Sequence, residues 1–342
     1  MIIRTARPDD LSALLKLSAM LPAGMTSMPV DQSTWEKKLQ LTVESFASTP
    51  SQATESVYLL VMEEPVSGRI VGTAGIHAGV GLTRPFYNYK LSKHVKASQE
   101  LDIRVTSNVL NLVNDFTGET ELTSLFVMPD FRKNFVGQFL SRSRYLFMSD
   151  FPERFSDIVF AEIRGWLDIN ENSPFWQHLG KKFFNLPFEK ADFISAVNGS
   201  QFISDLMPRF PVYLELLAED AVEVIGKPHK DSAPAKRLLE KEGFKYQGTI
   251  DIFDAGPVME CERDNIASIK ETTTGIIGSF NTNLPQWNEQ PLCILSNRTL
   301  PEYRLVLGKV TRMDNGELSI SADDAKALGV ERGSEVSLLQ IR

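Results

Sequence analysis

Cysteine is scarce in this chain. Cys261 and Cys293 are the two among 342 residues, and they have neither metal-ligand spacing nor the density of a disulfide scaffold. Both are expected as reduced, structural side chains. No apolar run reaches the roughly 18 residues that a membrane span needs. Met1-Ile2-Ile3-Arg4 leads straight into a strand pattern, with no basic segment and apolar signal core. A cytoplasmic protein with no membrane partner is therefore expected. Positive charge is also short: 36 Lys and Arg stand against 44 Asp and Glu, a formal net charge of −8 at pH 7. A nucleic-acid surface needs a basic stripe, so nucleic acid is not an expected partner. The acidity is compatible with a cationic substrate, as it is with many other partners. The four histidines, His77, His94, His178 and His229, show no spacing that points to a metal or a catalytic triad.

The length exceeds what one compact core usually needs, so more than one structural unit is expected. Residues 1–270 read as the main α+β domain. Residues 271–290, rich in Thr, Gly, Asn and Pro, read as a linker, and 291–342 as a small β-rich unit with a structural or oligomer-forming role. The main domain opens with a strand at Ile2–Ala6 and a helix capped by Asp9 or Asp10 that carries Leu11, Leu14, Leu15 and Leu17. A polar helix near Gln32–Phe46 precedes a hairpin of Val57–Met62 and Arg69–His77. Pro85–Tyr89 and Arg104–Leu112 look extended. A strand at Glu121–Val127, a helix over about Val136–Ser149 and a strand at Val159–Arg164 follow. Two short helices ended by glycine, at Ser173–Gly180 and Ala235–Gly243, each precede an apolar, strand-like stretch. They suggest a duplicated half-domain or merely a common unit used twice.

The strongest local feature is the run from Leu125 to Leu140. A strand, a turn with Arg132, then Gly137 and a helix is a layout that binds pyrophosphate, because backbone N–H groups and the helix dipole face the anion. Phe135 stands where a first glycine would let the backbone approach phosphate.

Ten patches carry a wider likeness: Gly24-Met25-Thr26-Ser27-Met28-Pro29, Asn114–Gly118, Glu121–Asp130, Leu140–Arg144, Ala161–Gly165, Ser173–Trp176, Leu206–Arg209, Val224–Gly226, Glu240–Phe244 and Asp251–Asp254. In this order the chain resembles the arginine N-succinyltransferases, acyl-CoA N-acyltransferases of the GNAT type. The resemblance runs from about residue 2 to 265 and thins over the C-terminal unit. It implies a mixed central sheet flanked by helices, and transfer of succinyl from succinyl-CoA, as cosubstrate rather than bound cofactor, to the α-amine of L-arginine. A homo-oligomer, or a pairing with a paralogous subunit, is implied as well. Leu125 and Val127 would pair with the pantetheine arm as a strand edge takes an extended ligand. Arg132 and Gly137 would hold the pyrophosphate, and His229 falls where the family places its catalytic proton donor. An imidazole titrating near neutrality suits that role.

Trp176 occupies a place where many GNAT domains have an acidic Tyr, and an indole cannot replace it, so the acid is expected at His229. Asp115, Glu121, Glu162 and Asp254 are candidates for the substrate guanidinium, which matches a bidentate carboxylate. Phe116 and Phe210 stand where the family usually has His. With Phe135 they are expected near the site, where they could alter the choice of amine or acyl group. Two alternatives therefore stay open: a related N-acyltransferase with a different amine or acyl-CoA, and a non-catalytic partner subunit of the same fold.

Overall fold

The computed structural model describes residues 1–21, 25–133, 135–199, 201–208, 210–282 and 287–341. Gly24, Asn134 and Arg209 of the sequence patches, and residues 283–286 of the expected linker, lie outside these. The first half contains β1 (Ile2–Thr5), α1 (Leu11–Ser18), α2 (Gln32–Ala47), β2 (Ser56–Glu63), β3 (Ile70–Ala78), β4 (Asn88–Ser98), β5 (Ile103–Val113) and β6 (Thr120–Val127). Then come α3 (Val136–Asp150), β7 (Ile158–Glu162) and a helical block of α4 (Pro174–His178), α5 (Gly180–Phe184), α6 (Phe188–Asn198) and α7 (Gln201–Leu206). The chain continues through β8 (Val212–Tyr213), α8 (Glu219–Glu223), α9 (Ala233–Glu242), β9 (Lys245–Asp251), β10 (Pro257–Glu262) and α10 (Ala267–Glu271). It ends with β11 (Thr273–Ser279), β12 (Leu292–Ser296), β13 (Arg304–Lys309), β14 (Thr311–Arg312), β15 (Leu318–Ser319), α11 (Ala322–Leu328) and β16 (Glu335–Gln340).

The expected α+β mixed sheet is present. Among the described residues the strands follow one hydrogen-bonded order, β14-β15-β11-β16-β12-β13-β1-β2-β3-β6-β7-β10-β9-β4-β5-β8. β2 is buried from Ser56 to Met62 and apolar from Val57 to Met62, as a strand covered on both faces must be. Helix α2 starts cleanly because the Asp31 carboxylate accepts the Thr34 N–H at 2.7 Å. It lays Trp35, Leu39 and Phe46 into the main core with Tyr58 and Phe147. A second core fills the helical block around Trp176, Phe184 and Phe253, and a third lies beneath α11.

Arg104–Leu112 is extended as expected, within β5, and Asn88 and Tyr89 begin β4; residues 88–113 form a long β4–β5 hairpin whose outer half is largely solvent-exposed, so it lacks the apolar alternation that marks a half-buried strand. Other expectations need correction. The stretch after Gly180 is helical, because Phe184 stacks on Trp176 at 5.4 Å; only Gly243 is followed by a strand, and the two units differ. The expected linker contains β11, which pairs with β16 and buries Ile277 in the third core. Nor do the C-terminal strands hang as an appendage: β13 pairs with β1. The buried Asp150 of α3 accepts Ser296 Oγ at 2.6 Å, Tyr303 OH at 2.7 Å and Arg298 Nη1 at 3.0 Å.

Candidate active site

The sheet opens between β6 and β7. β6 pairs antiparallel with β3 along its length, from Gly72↔Val127 to His77↔Glu121. With β7 it pairs in parallel at Thr120↔Val159 and Glu121↔Phe160, and beyond Glu121 the two strands part. The register of β3 shifts between Thr73 and Gly75, so Ser124 and Leu125 together oppose Ala74, as in a β-bulge that re-aims a strand. Ser124 takes φ 54° there. The bulge is tied down: Ser124 N–H donates to Ser27 Oγ at 3.2 Å, and Lys38 Nζ donates to Ser27 O and Ser124 Oγ at 2.8 Å each.

Leu125, Val127, Arg132 and Gly137 follow one another along the opened edge and its exit. Leu125 is half-buried and Val127 buried. Arg132 Nε donates to Val127 O at 2.9 Å, and the guanidinium lies 5.5 Å from the Phe126 ring centre, which fixes its stem beside the turn. Phe135 adopts φ 60°, ψ −10° as the residue before α3 and offers no side-chain cap. This is the left-handed conformation a glycine takes freely. The backbone path thus survives the substitution, and the ring, 45% exposed, lies partly in solvent. A Cβ built on Gly137 would meet nothing within 4 Å. No protein packing therefore demands glycine at that position, and the open helix start is suited to an anion.

A cavity of about 510 Å³ lies at the point of divergence, lined among others by Lys38, Glu55, His77, Glu121, Thr123 and Glu162. Burial pushes the Glu121 carboxyl up to about 7 against the opposing pull of Lys38. Glu162 is held well above the carboxylate range by burial and by the nearby charges of Asp251 and Glu121. Asn88, itself fully buried, donates to Glu162 Oε1 at 2.8 Å. Glu55 Oε2 is buried without a hydrogen-bond partner, and its Oε1 lies 3.9 Å from His77 Nε2. Burial lowers His77 to about 4, so its ring is neutral. Like-charged acids in one cavity favour a cationic ligand, which would let them ionise.

The four carboxylate candidates now separate. Glu121 and Glu162 face the cavity together. Asp254 is buried beneath Gly165, accepting the Gly165 N–H at 2.6 Å and the Gly256 N–H at 2.8 Å, which is a structural role. Asp115 lines a different surface depression with Lys90 and Glu260. Lys38, Glu55 and His77 are not candidates from the sequence, and Ser27 enters only as a member of the Gly24–Pro29 patch.

His229 does not line this cavity. It sits beyond the end of β7, where its N–H donates to Arg164 O at 2.8 Å and Pro228 bridges to Gly165. The ring is buried. Its Nδ1 accepts the Asp231 N–H at 3.2 Å and lies 3.4 Å from Arg164 Nη1. That leaves Nε2 to carry the proton of the neutral ring. Burial first, then the Arg164 charge, lowers its pKa below the ordinary value.

Trp176 is fully buried in the helical block and donates Nε1–H to Leu186 O at 2.9 Å, in keeping with the expectation that it is not the acid. Two other expectations are corrected. Phe116 stacks on Phe160 at 4.2 Å in a small separate core. Phe210 is 84% exposed on a loop. Neither lines the cavity, and Phe135 immediately precedes α3. His94 is on the β4–β5 hairpin, edge-on to Tyr213, and His178 lies 3.4 Å from Asp220 at the surface. No group of residues suited to hold a metal ion occurs among the described residues, and none of their helices is long and apolar enough to cross a membrane.

Residues 1–268 match the family model described as arginine N-succinyltransferase beta subunit, and residues 285–340 match that of its C-terminal domain. Proteins named arginine N-succinyltransferase from Escherichia coli (strain 55989 / EAEC) and Shigella flexneri are each 37% identical over 341 residues, covering 100% of this chain and 98% of theirs. A solved structure, arginine/ornithine succinyltransferase subunit AI from Pseudomonas aeruginosa, superposes with a TM-score of 0.89 at 32% identity, covering 99% of this chain and 98% of that one.

Proposed function

The chain belongs to the arginine N-succinyltransferase family, and from that premise we propose that it transfers succinyl from succinyl-CoA to the α-amine of L-arginine. The observation that carries the reading is the parting of β6 from β7 beside a cavity walled by Glu121 and Glu162. In this proposal the pantetheine arm runs along Leu125 and Val127, and its pyrophosphate meets Arg132 and the start of α3 at Gly137. The cationic end of the acceptor is held by Glu162, anchored by Asn88, and by the unpartnered Glu55 oxygen. Glu121, on the same strand as the bulge and raised to about 7, takes the proton from the attacking ammonium. A base titrating near the working pH is the efficient one.

The amine then adds to the thioester carbon, the oxygen becomes an oxyanion, and its collapse expels the CoA thiolate. His229 serves the departing side. The Asp231 and Arg164 contacts hold Nδ1 as an acceptor, so Nε2–H is the edge that would stabilise developing charge on sulfur and complete its protonation. The cytoplasmic setting, the use of succinyl-CoA without a resident cofactor, and assembly with a second copy or a paralogous chain are parts of the same proposal. The word "subunit" in the descriptions of the matching family and of the Pseudomonas protein supports the last.

Incubation with succinyl-CoA and arginine, followed by free thiol, tests the reading. Thiol release that depends on arginine is expected. No release above background, in protein shown to bind CoA, would sink it. His229→Ala is expected to lower turnover about tenfold or more, and an unchanged rate would remove His229 from the mechanism.

A further inference from the structure

We infer that Lys38 forms, with Ser27 and Ser124, a subsite for a free carboxylate carried by the acyl group. The inference rests on the proposed acyl transfer and names what reads the acid end of the acyl chain. Lys38 projects from α2 onto the cavity wall. Its ammonium donates to Ser27 O and Ser124 Oγ at 2.8 Å each and lies 5.2 Å from the Trp35 ring centre. Trp35 is itself immobilised, fully buried with Nε1–H donating to Ser18 Oγ and Pro29 O at 3.0 Å. An ammonium has three donors, and these contacts use two. No ion pair to Lys38 occurs among the described residues, although Glu121 lines the same cavity. Burial lowers the lysine to about 8, with Glu121 opposing. A half-buried ammonium with a spare donor and no counter-ion in contact favours an incoming anion.

The position decides which anion. Ser124 is the bulge residue of β6 at the opened edge. A thioester laid along Leu125 places its acyl chain beside this residue, so a carboxylate at the far end of a four-carbon acyl group meets the ammonium. The other charged or titratable groups facing the cavity are Glu55, His77, Arg84, Glu121 and Glu162. The three acids repel a carboxylate and suit the cationic end of the acceptor, His77 is neutral, and Arg84 is the other cation lining the cavity, so the carboxylate is assigned to Lys38 by its contact with the bulge residue Ser124.

Succinyl-CoA and butyryl-CoA have the same carbon count and differ at the terminal carboxylate, so they are the probes. Wild type, Lys38→Met and Lys38→Gln are compared by calorimetric binding of each thioester without arginine, and by kcat/KM with it. A charge-assisted contact predicts that both variants bind succinyl-CoA about tenfold or more weakly while butyryl-CoA binding changes by less than about twofold, and that the ratio of kcat/KM for succinyl-CoA to that for butyryl-CoA falls by about tenfold or more. Equal losses for both thioesters would overturn the subsite, since Lys38 would then only brace the bulge. A rise confined to the KM for arginine would overturn it too, because the carboxylate read would be the acceptor's. The binding arm needs no turnover. A wild-type protein that binds succinyl-CoA but releases no thiol defeats the proposed function, whereas loss of the binding contrast defeats the subsite.

Discussion

Gly137→Ala separates a ligand-imposed glycine from a structural one. In the second position of α3 the added methyl would meet no atom within 4 Å, so the unliganded protein accepts it without rearrangement. Alanine is the better helix former, by about 0.8–1.0 kcal/mol in a helix interior, and less is expected this close to the end. The unfolding midpoint without ligand should therefore stay level or rise by roughly 1–2 °C. With CoA the sign reverses. A pyrophosphate drawn onto the first-turn N–H groups approaches the backbone within van der Waals reach, and the methyl occupies that space. An affinity loss of about tenfold, or roughly 1.4 kcal/mol, is expected. Thermal unfolding with and without CoA, together with calorimetric titration, reads both quantities in one preparation. The reasoning fails if the variant binds CoA as wild type does. It fails equally if the unliganded protein is destabilised, since the glycine would then serve the fold.

The pH profile follows from two cavity groups. Glu121, at about 7, must be deprotonated to accept a proton, and Lys38, at about 8, must be protonated to hold a carboxylate. The kcat/KM for succinyl-CoA should fall below about pH 7 and again above about pH 8, with the upper limb absent for butyryl-CoA. A flat profile for succinyl-CoA would refute both roles. Removing Lys38 also removes a charge that lowers Glu121, so the lower limb should move up in Lys38→Met. Phe135→Gly relieves a left-handed residue costing roughly 1–2 kcal/mol, set against about 0.4–1 kcal/mol from the freer unfolded chain. Near-neutral stability and undiminished CoA affinity are expected, and weaker binding would show that the ring itself contacts the ligand. Asp150→Ala empties a buried site on which Ser296, Tyr303, Ser337 and Arg298 converge. A loss of about 3–5 kcal/mol is expected by denaturant unfolding; a loss under about 1 kcal/mol would mean the C-terminal strands are held by pairing alone.

What could be read in the sequence was local. The run Val57–Met62 is apolar throughout because both faces are covered, and Leu125–Leu140 carries strand, turn and helix within one stretch of chain. The outer part of β4 and its pairing with β5 escaped notice because hydrogen bonds hold the hairpin rather than burial, with Lys93, Lys96 and Arg104 exposed along it. β11 escaped because Thr273, Thr274 and Gly275 suit a linker as well as a strand, and only the partner β16, far along the chain, distinguishes the two. Trp176 misled because an aromatic beside Phe175 fits an active-site helix and a core equally well; its stacking on Phe184 and Phe253 shows which.

The same reasoning explains why the cavity was half visible. Glu121 and Glu162 each belong to a strand with a recognisable sequence signature, so both entered as candidates. Lys38 sits on a polar helix face between Lys37 and Leu39, where a lysine is ordinarily solvated. Its significance comes from Ser124, 86 residues away, and Ser27, 11 residues away. Glu55 likewise acquires meaning from His77 on the neighbouring strand. Residues that bind a ligand from one strand leave a local signature, whereas residues that meet across α2, β3 and β6 leave none. The proposed roles, Lys38 reading the acyl carboxylate and Glu55 and Glu162 the cation of the acceptor, depend on that convergence. Because the Lys38 charge also lowers Glu121, a change of charge at Lys38 should shift the acid limb of the pH profile together with the choice of acyl group.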